Sequence, residues 1–296
     1  MAKLGPCGRR QTPRAVDSHH HLWDPTHADY PWMTDELDVI RRPFGPEDLR
    51  PLLAESSIDR TIVVQARSSL DETRQLLDVA EATDFIAGVV GWVDLTDAAI
   101  AGAIDDLRSG PGGRFLVGVR HQVHDEPDPA WLCRADVRRG LDAVQEAGLV
   151  YDLLVRPPQL PAALETARAL PGLRLVIDHI AKPAIAAGRQ DREWEAAMAP
   201  FSDLANVSCK LSGMVTEADW KTWASSDLEP YVQRCLDWFG EDRLLFGSDW
   251  PVCLLAATYG AVVDGMRTLL AQLPEPAAAN VFGANAVRVY RLEGLT

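Results

Sequence analysis

The sequence predicts an α/β protein folded as a closed (β/α)8 barrel, the TIM-barrel class. Three observations carry that prediction. Short, almost continuous apolar runs recur along the chain, and a helix-length amphipathic segment follows each one. Strands that are apolar throughout belong to parallel sheets whose outer face is covered by helices. The alternation repeats eight times, and eight such units in 296 residues match the count and length of a closed barrel. A doubly wound open sheet is the alternative, but it would carry a glycine-rich phosphate loop after its first strand. Here the first strand runs instead into His19-His20-His21-Leu22-Trp23.

Taken in order, residues 15–22 form the first strand, followed by an irregular stretch around Tyr30-Pro31-Trp32 and a helix over 46–56. The second strand is 59–66 with a helix over 70–83, and the third is 85–94 with a helix over 97–108. The fourth is 115–122, with a helix over 134–147 that Gly148 stops. The remaining pairs are 150–155 with 160–170, 174–180 with 191–204, 206–212 with 228–239, and 243–250 with 259–272. A last helix, 276–290, has Ala, Val and Phe at helical spacing and is expected on the outside of the barrel. Gly110-Pro111-Gly112-Gly113 reads as a loop on the face opposite the strand C-termini. No repeat or linker divides the chain, so the expected organisation is a loose polar lead-in over 1–14 and one barrel domain over 15–296.

Composition narrows the function. Hydrophobic residues make up 47% of the chain, enough for a full core. The net charge of −14 excludes nucleic acid and anionic membrane as partners, because both require a basic face. The expected partner is a small molecule, and the expected assembly a monomer or homodimer. Five dispersed cysteines (Cys7, Cys133, Cys209, Cys235 and Cys253) with no CxxC pair predict reduced thiols and a cytoplasmic setting. No apolar run reaches the length of a secretory core or a membrane span.

Barrel enzymes place their chemistry at the C-terminal ends of the strands, and polar residues collect there. Side-chain alternation puts Asp17, His19 and His21 on one face of the first strand and Ser18 and His20 on the other. Two imidazoles at i and i+2 converge on one metal ion or one substrate oxygen. A purification tag would be a longer histidine run and would not sit between an apolar strand start and Leu22-Trp23. The other strand ends supply Gln65 and Arg67, Trp92 and Asp94, Arg120, His121 and Gln122, Asp178 and His179, Lys210 and Ser212, and Ser248, Asp249 and Trp250. Asp249, at the mouth of the last strand, can bind a metal or take a proton from water; its ordinary alternative is a turn or N-cap aspartate before Pro251. His179 is either functional or a buried histidine bonded to a carbonyl. Only one of Arg120 and His121 can face inward, and Arg120 either binds a carbonyl or carboxylate or makes a salt bridge. Lys210 alternates with Ser208 and Ser212, so it points into the barrel as a ligand-binding group or an ion-pair partner. Tyr30, Trp32, Trp92 and Trp250 either wall a pocket for a sugar-like ring or belong to the core.

Asp17-x-His19-x-His21, His179 and Asp249 resemble the metal-assisted hydrolases of the amidohydrolase superfamily. Further segments are similar to its sugar-lactonase branch, the L-fuconolactonases above all: Val64-Gln65-Ala66-Arg67, Val90-Gly91-Trp92, Gly118-Val119-Arg120-His121-Gln122, Asp178-His179-x-x-Lys182-Pro183, Cys209-Lys210-Leu211-Ser212-Gly213 and Phe246-Gly-Ser-Asp-Trp-Pro251. The resemblance spans nearly the whole chain. It implies hydrolysis of an aldonolactone such as L-fucono-lactone, within L-fucose catabolism. Asp249 would be the general base, and His19, His21 and His179 would orient water and polarise the carbonyl. Arg120 would stabilise the oxyanion, while Trp32, Gln65, Trp92, His121, Lys210 and Trp250 would hold the substrate. Binuclear relatives carry a bridging lysine on the fourth strand and a histidine on the fifth. This chain has Arg120-His121 and neither residue in those places, which leaves one divalent ion, zinc or manganese, on His19, His21 and Asp249 with or without His179, or no ion at all. Two other readings remain. One is a metal-dependent decarboxylase or hydrolase of an aromatic or dicarboxylate compound, such as a pyrone-dicarboxylate lactone, which would need more strand-end arginines than Arg67, Arg120 and Arg156. The other is a non-catalytic binding protein, against which the intact Asp249 and histidine pair stand.

Overall fold

The computed structural model describes residues 15–188 and 191–292; the expected lead-in, 1–14, lies outside the described residues. Eight parallel strands run in sequential order: β1 (Val16–His20), β2 (Arg60–Val64), β3 (Ile86–Gly91), β4 (Leu116–His121), β5 (Val150–Leu153), β6 (Arg174–Ile177), β7 (Val207–Leu211) and β8 (Leu244–Phe246). The predicted barrel is present. Closure falls to a few long-range bonds at the top of β8, where Asp249 N donates to His19 O at 2.8 Å and His21 N to Trp250 O at 2.7 Å.

The helices of the shell are α1 (Pro46–Glu55), α2 (Leu70–Ala82), α3 (Ile100–Ser109), α4 (Ala135–Glu146), α5 (Leu160–Ala169), α6 (Arg192–Met198), the short α7 (Met214–Glu217), α8 (Ser225–Phe239) and α9 (Tyr259–Leu269). Their apolar faces and the outward side chains of the strands form the larger core, while Val16, Ile62, Val64, Val90, Val150, Val176 and Leu245 fill the barrel interior. Most predicted strands extend one to four residues too far at the C-terminal end. There the chain leaves the sheet, because the side chains that follow turn toward one another across the mouth.

Two expectations are corrected. The last helix is neither single nor on the outside. It breaks into α10 (Glu275–Ala279), a π-helical turn (Asn280–Ala284) and α11 (Asn285–Tyr290). Ala286, Val289, Tyr290 and Leu292 pack against the interior valines, and Arg174, the first residue of β6, donates to Val289 O at 2.7 Å. The segment is therefore the floor of the barrel. Nor does Asp17 share a face with His19 and His21, because the β1 register shifts between Asp17 and His20. Asp17 turns away and accepts from Ser248 N at 2.9 Å, Ser248 Oγ at 2.6 Å and Tyr259 OH at 3.2 Å. It ties β1 to the loop after β8 instead of joining the site. Burial raises its carboxyl to about 6 despite those donors.

Candidate active site

The first strand sets two imidazoles at the mouth. His21 Nδ1 lies 2.8 Å from Val64 O on β2, which fixes the ring and aims Nε2 inward. His19 Nε2 is 3.2 Å from His21 Nε2. The loop after β8 adds Asp249, whose Oδ1 is 3.4 Å from His21 Nε2 and 3.7 Å from His19 Nε2. Asp249 reaches this place with φ at +58°, a left-handed conformation that costs a non-glycine residue about 1–2 kcal/mol.

β6 contributes the fourth member through a distorted turn. The strand stops at Ile177, and His179, Ile180, Ala181 and Lys182 all have positive φ, between 48° and 59°. Four left-handed residues in a row are expensive, and such strain persists only where surrounding contacts enforce it. Trp194 Nε1 donates to Ile180 O at 2.6 Å, and Lys182 N to His179 O at 2.8 Å. The turn swings His179 over the mouth, with Nδ1 2.9 Å from Ser212 Oγ and Nε2 3.9 Å from Asp249 Oδ1. Glycines make room for both rings. A Cβ on Gly213 would lie 2.5 Å from His179 Nδ1, and one on Gly247 would lie 2.6 Å from His19 Cβ.

Beneath the cluster lies a buried ionic layer. Lys210 Nζ sits 2.5 Å from Asp152 Oδ2, 3.0 Å from Asp178 Oδ1 and 3.2 Å from His19 Nδ1. Arg120 Nη1 reaches Asp178 Oδ2 at 3.1 Å and lies 3.3 Å from His19 Nε2, while Nη2 donates to Gln65 O at 2.5 Å. Tyr290 rises from the floor and donates to Asp152 at 2.7 Å. Burial holds His19 and His179 well below the usual imidazole range, so both are neutral. Burial would raise Asp249, but His179 and His21 outweigh it and keep the carboxyl below its ordinary value. Asp178 is likewise ionised: burial is overcome by Lys210, His19 and Arg120.

Neutral imidazoles beside an ionised carboxylate are the donor set of a divalent metal. His19, His179 and Asp249 each offer an atom within 4.8 Å of the others, and His21 Nε2 lies beside two of them, His19 and Asp249. Tetrahedral ligands at metal-bond length sit about 3.4 Å apart, close to these separations. Each histidine is also held through its other ring nitrogen, the arrangement that orients metal ligands. The residues fit an ion with one concession, that the Arg120 contact to His19 Nε2 would turn wholly to Asp178 and Gln65.

The structure thus brings together His19, His21, His179, Asp249 and Arg120. The expected substrate-contacting residues fare differently. Gln65 bonds to Arg120 O at 3.2 Å beside the cluster. Trp32 is partly exposed at the rim, where its Nε1 donates to Ala66 O. Trp92 Nε1 donates to His121 Nδ1 at 3.0 Å, His121 Nε2 contacts Glu126, and the His121 ring stacks on Trp131 at 4.5 Å. Both nitrogens of His121 are therefore engaged. Lys210 is fully buried in its ion pairs, and Trp250 is 1% exposed and packs edge-on against Phe44. Sequence reasoning missed Asp152 and Tyr290. A charged residue inside an apolar strand, as in Val150-Tyr151-Asp152-Leu153, was the available signal for the first; nothing marked Tyr290, because its helix lies outside the repeating pattern.

Comparison with known proteins agrees with this geometry. A profile of the amidohydrolase family matches residues 16–292. An L-fucono-1,5-lactonase of Burkholderia ambifaria is 44% identical over 94% of this chain and 96% of its own length. A second, from Burkholderia multivorans, is 40% identical over 94% of this chain and 96% of its own length. A crystal structure of a Burkholderia multivorans amidohydrolase with bound zinc superposes with a TM-score of 0.89 at 40% identity, covering 94% of this chain and 99% of that one.

Proposed function

Since this chain belongs to the amidohydrolase family, we propose that it hydrolyses a sugar lactone, L-fucono-1,5-lactone, to the open aldonic acid, a step of L-fucose catabolism. The observation that carries the proposal is the Asp249 carboxylate, with three imidazole Nε2 atoms 3.4–3.9 Å from its Oδ1 at the C-terminal mouth of the barrel. An ionised carboxylate there accepts the proton of a water molecule held against the histidines. The water oxygen bonds to the lactone carbonyl carbon, and its proton passes to Asp249. The carbonyl oxygen becomes an oxyanion beside Arg120, whose buried Nε has no hydrogen-bond partner among the described residues. Collapse breaks the bond from the carbonyl carbon to the ring oxygen, and Asp249 returns the proton to that oxygen. The product is the hydroxy acid.

His19, His21, His179 and Asp249 would hold one zinc or manganese ion. When bound, it would supply Lewis acidity to water and carbonyl. Zinc titration should give one ion per chain, abolished in His19→Ala. The function is tested by acid release from L-fucono-1,5-lactone, followed with a pH indicator. Asp249→Asn should lose about 10²–10⁴-fold in kcat with its melting curve unchanged; a folded variant that keeps most of its activity removes Asp249 from this role.

A further inference from the structure

Three successive loops at the mouth each present one charged side chain: Arg156 after β5, Lys182 after β6 and Glu217 at the end of α7. Lys182 Nζ donates to Glu217 Oε1 at 2.9 Å, and Arg156 Nη1 lies 3.9 Å from Glu217 Oε2. The Lys182 and Glu217 side chains are 14% and 17% exposed, so the pair sits in the partly buried mouth. It is near the chemistry, because Lys182 ends the left-handed turn that begins at His179.

Without Glu217, Lys182 and Arg156 would form a two-cation receptor for a carboxylate. The remaining strand-end arginines are already matched, Arg120 by Asp178 and Arg67 by Glu72. We propose that Glu217 is a specificity-determining residue. By occupying Lys182 and Arg156 it makes the mouth a receptor for an uncharged polyhydroxy lactone and turns away lactones that carry a free carboxylate. A carboxylate only accepts hydrogen bonds, so Glu217 accepts from the hydroxyls of a sugar ring while Lys182 donates to hydroxyl oxygens. This inference rests on the lactonase reading.

The test uses Glu217→Gln, isosteric and uncharged, with Glu217→Ala as the second variant. Substrates are L-fucono-1,5-lactone and the monolactone of galactaric acid, which bears a free carboxylate. The ratio of kcat/KM, carboxylated over neutral, should rise at least about tenfold in Glu217→Gln, as expected for one unit charge at ion-pair distance near a protein surface. Lys182→Met in the Glu217→Gln background should cancel the gain. Calorimetric titration with galactarate reads the same change without turnover, at least about tenfold tighter in the variant than in the wild type. Failure of the wild type to hydrolyse any sugar lactone would overturn the lactonase reading, and the galactarate titration would still decide the role of Glu217. Folded Glu217 variants with an unchanged ratio and unchanged galactarate affinity overturn the proposal, as does a wild type that already prefers the carboxylated lactone.

Discussion

Replacing Gly213 by alanine adds one methyl group to a residue that touches no substrate, yet it should disable the site. Gly213 has φ at +61°, which costs a non-glycine residue about 1–2 kcal/mol. The new Cβ would lie 2.5 Å from His179 Nδ1 and 2.7 Å from Cγ, where ordinary contact begins at 3.4 Å. The ring must therefore retreat by about 0.9 Å, the difference between those two distances. It cannot slide freely, because its Nδ1 is held 2.9 Å from Ser212 Oγ and its backbone belongs to the left-handed turn. A misplacement of about 1 Å in a catalytic group costs on the order of 100-fold in rate. Gly213→Ala should thus melt only a few degrees below the wild type but lose about two orders of magnitude in kcat for L-fucono-1,5-lactone. Acid-release kinetics beside a circular-dichroism melt measure both. A variant within threefold of wild-type kcat would refute the claim that His179 is placed by this contact.

Other consequences follow from the same geometry. Tyr290→Phe removes the donor to buried Asp152, a bond to a charged group that should be worth about 2 kcal/mol and lower Tm by roughly 4 °C; a Tm unchanged at pH 8 would contradict it. Burial raises Asp152 from 3.8 to about 6, so the folded state takes up a proton as pH falls through that window and gains stability there. The Tyr290→Phe deficit should accordingly shrink below pH 6, which melts across pH 5 to 8 would reveal. Because His19 and His179 are held neutral and Asp249 ionised, kcat corrected for spontaneous hydrolysis should fall only as pH drops into the carboxylate range. An inflection from either histidine near its usual value of 6.5 would be inconsistent with that electrostatic arrangement.

Much of the architecture could be read from periodicity, because parallel strands buried on both faces leave an unmistakable apolar signature. The convergence of His19, His21, His179 and Asp249 followed from one rule, that strand C-termini share a mouth. What escaped was anything depending on local departures from regular geometry. The register shift in β1 moved Asp17 to the outside, and the left-handed turn placed His179 where an extended strand could not. An amphipathic pattern says that a helix has an apolar face but not which surface receives it, so α11 was expected on the shell and is found at the floor. Lys210 shows the same limit. A buried lysine reads as either ligand-binding or ion-paired until its partners, Asp152 and Asp178, are placed beside it.

The floor segment also shields the ionic layer from solvent on the side away from the mouth. In the chain, all eight strands and every histidine of the cluster precede α11, and the clasp between Asp17 and Ser248 joins residues 231 positions apart. A barrel that has its strands but not its floor leaves Asp152 and Lys210 open to water from below, where their mutual attraction is weakened by solvent. Docking of Tyr290 seals that opening, strips the water and locks the ionic layer on which His19 rests. The site at the mouth thus leans on a helix at the opposite end of the barrel.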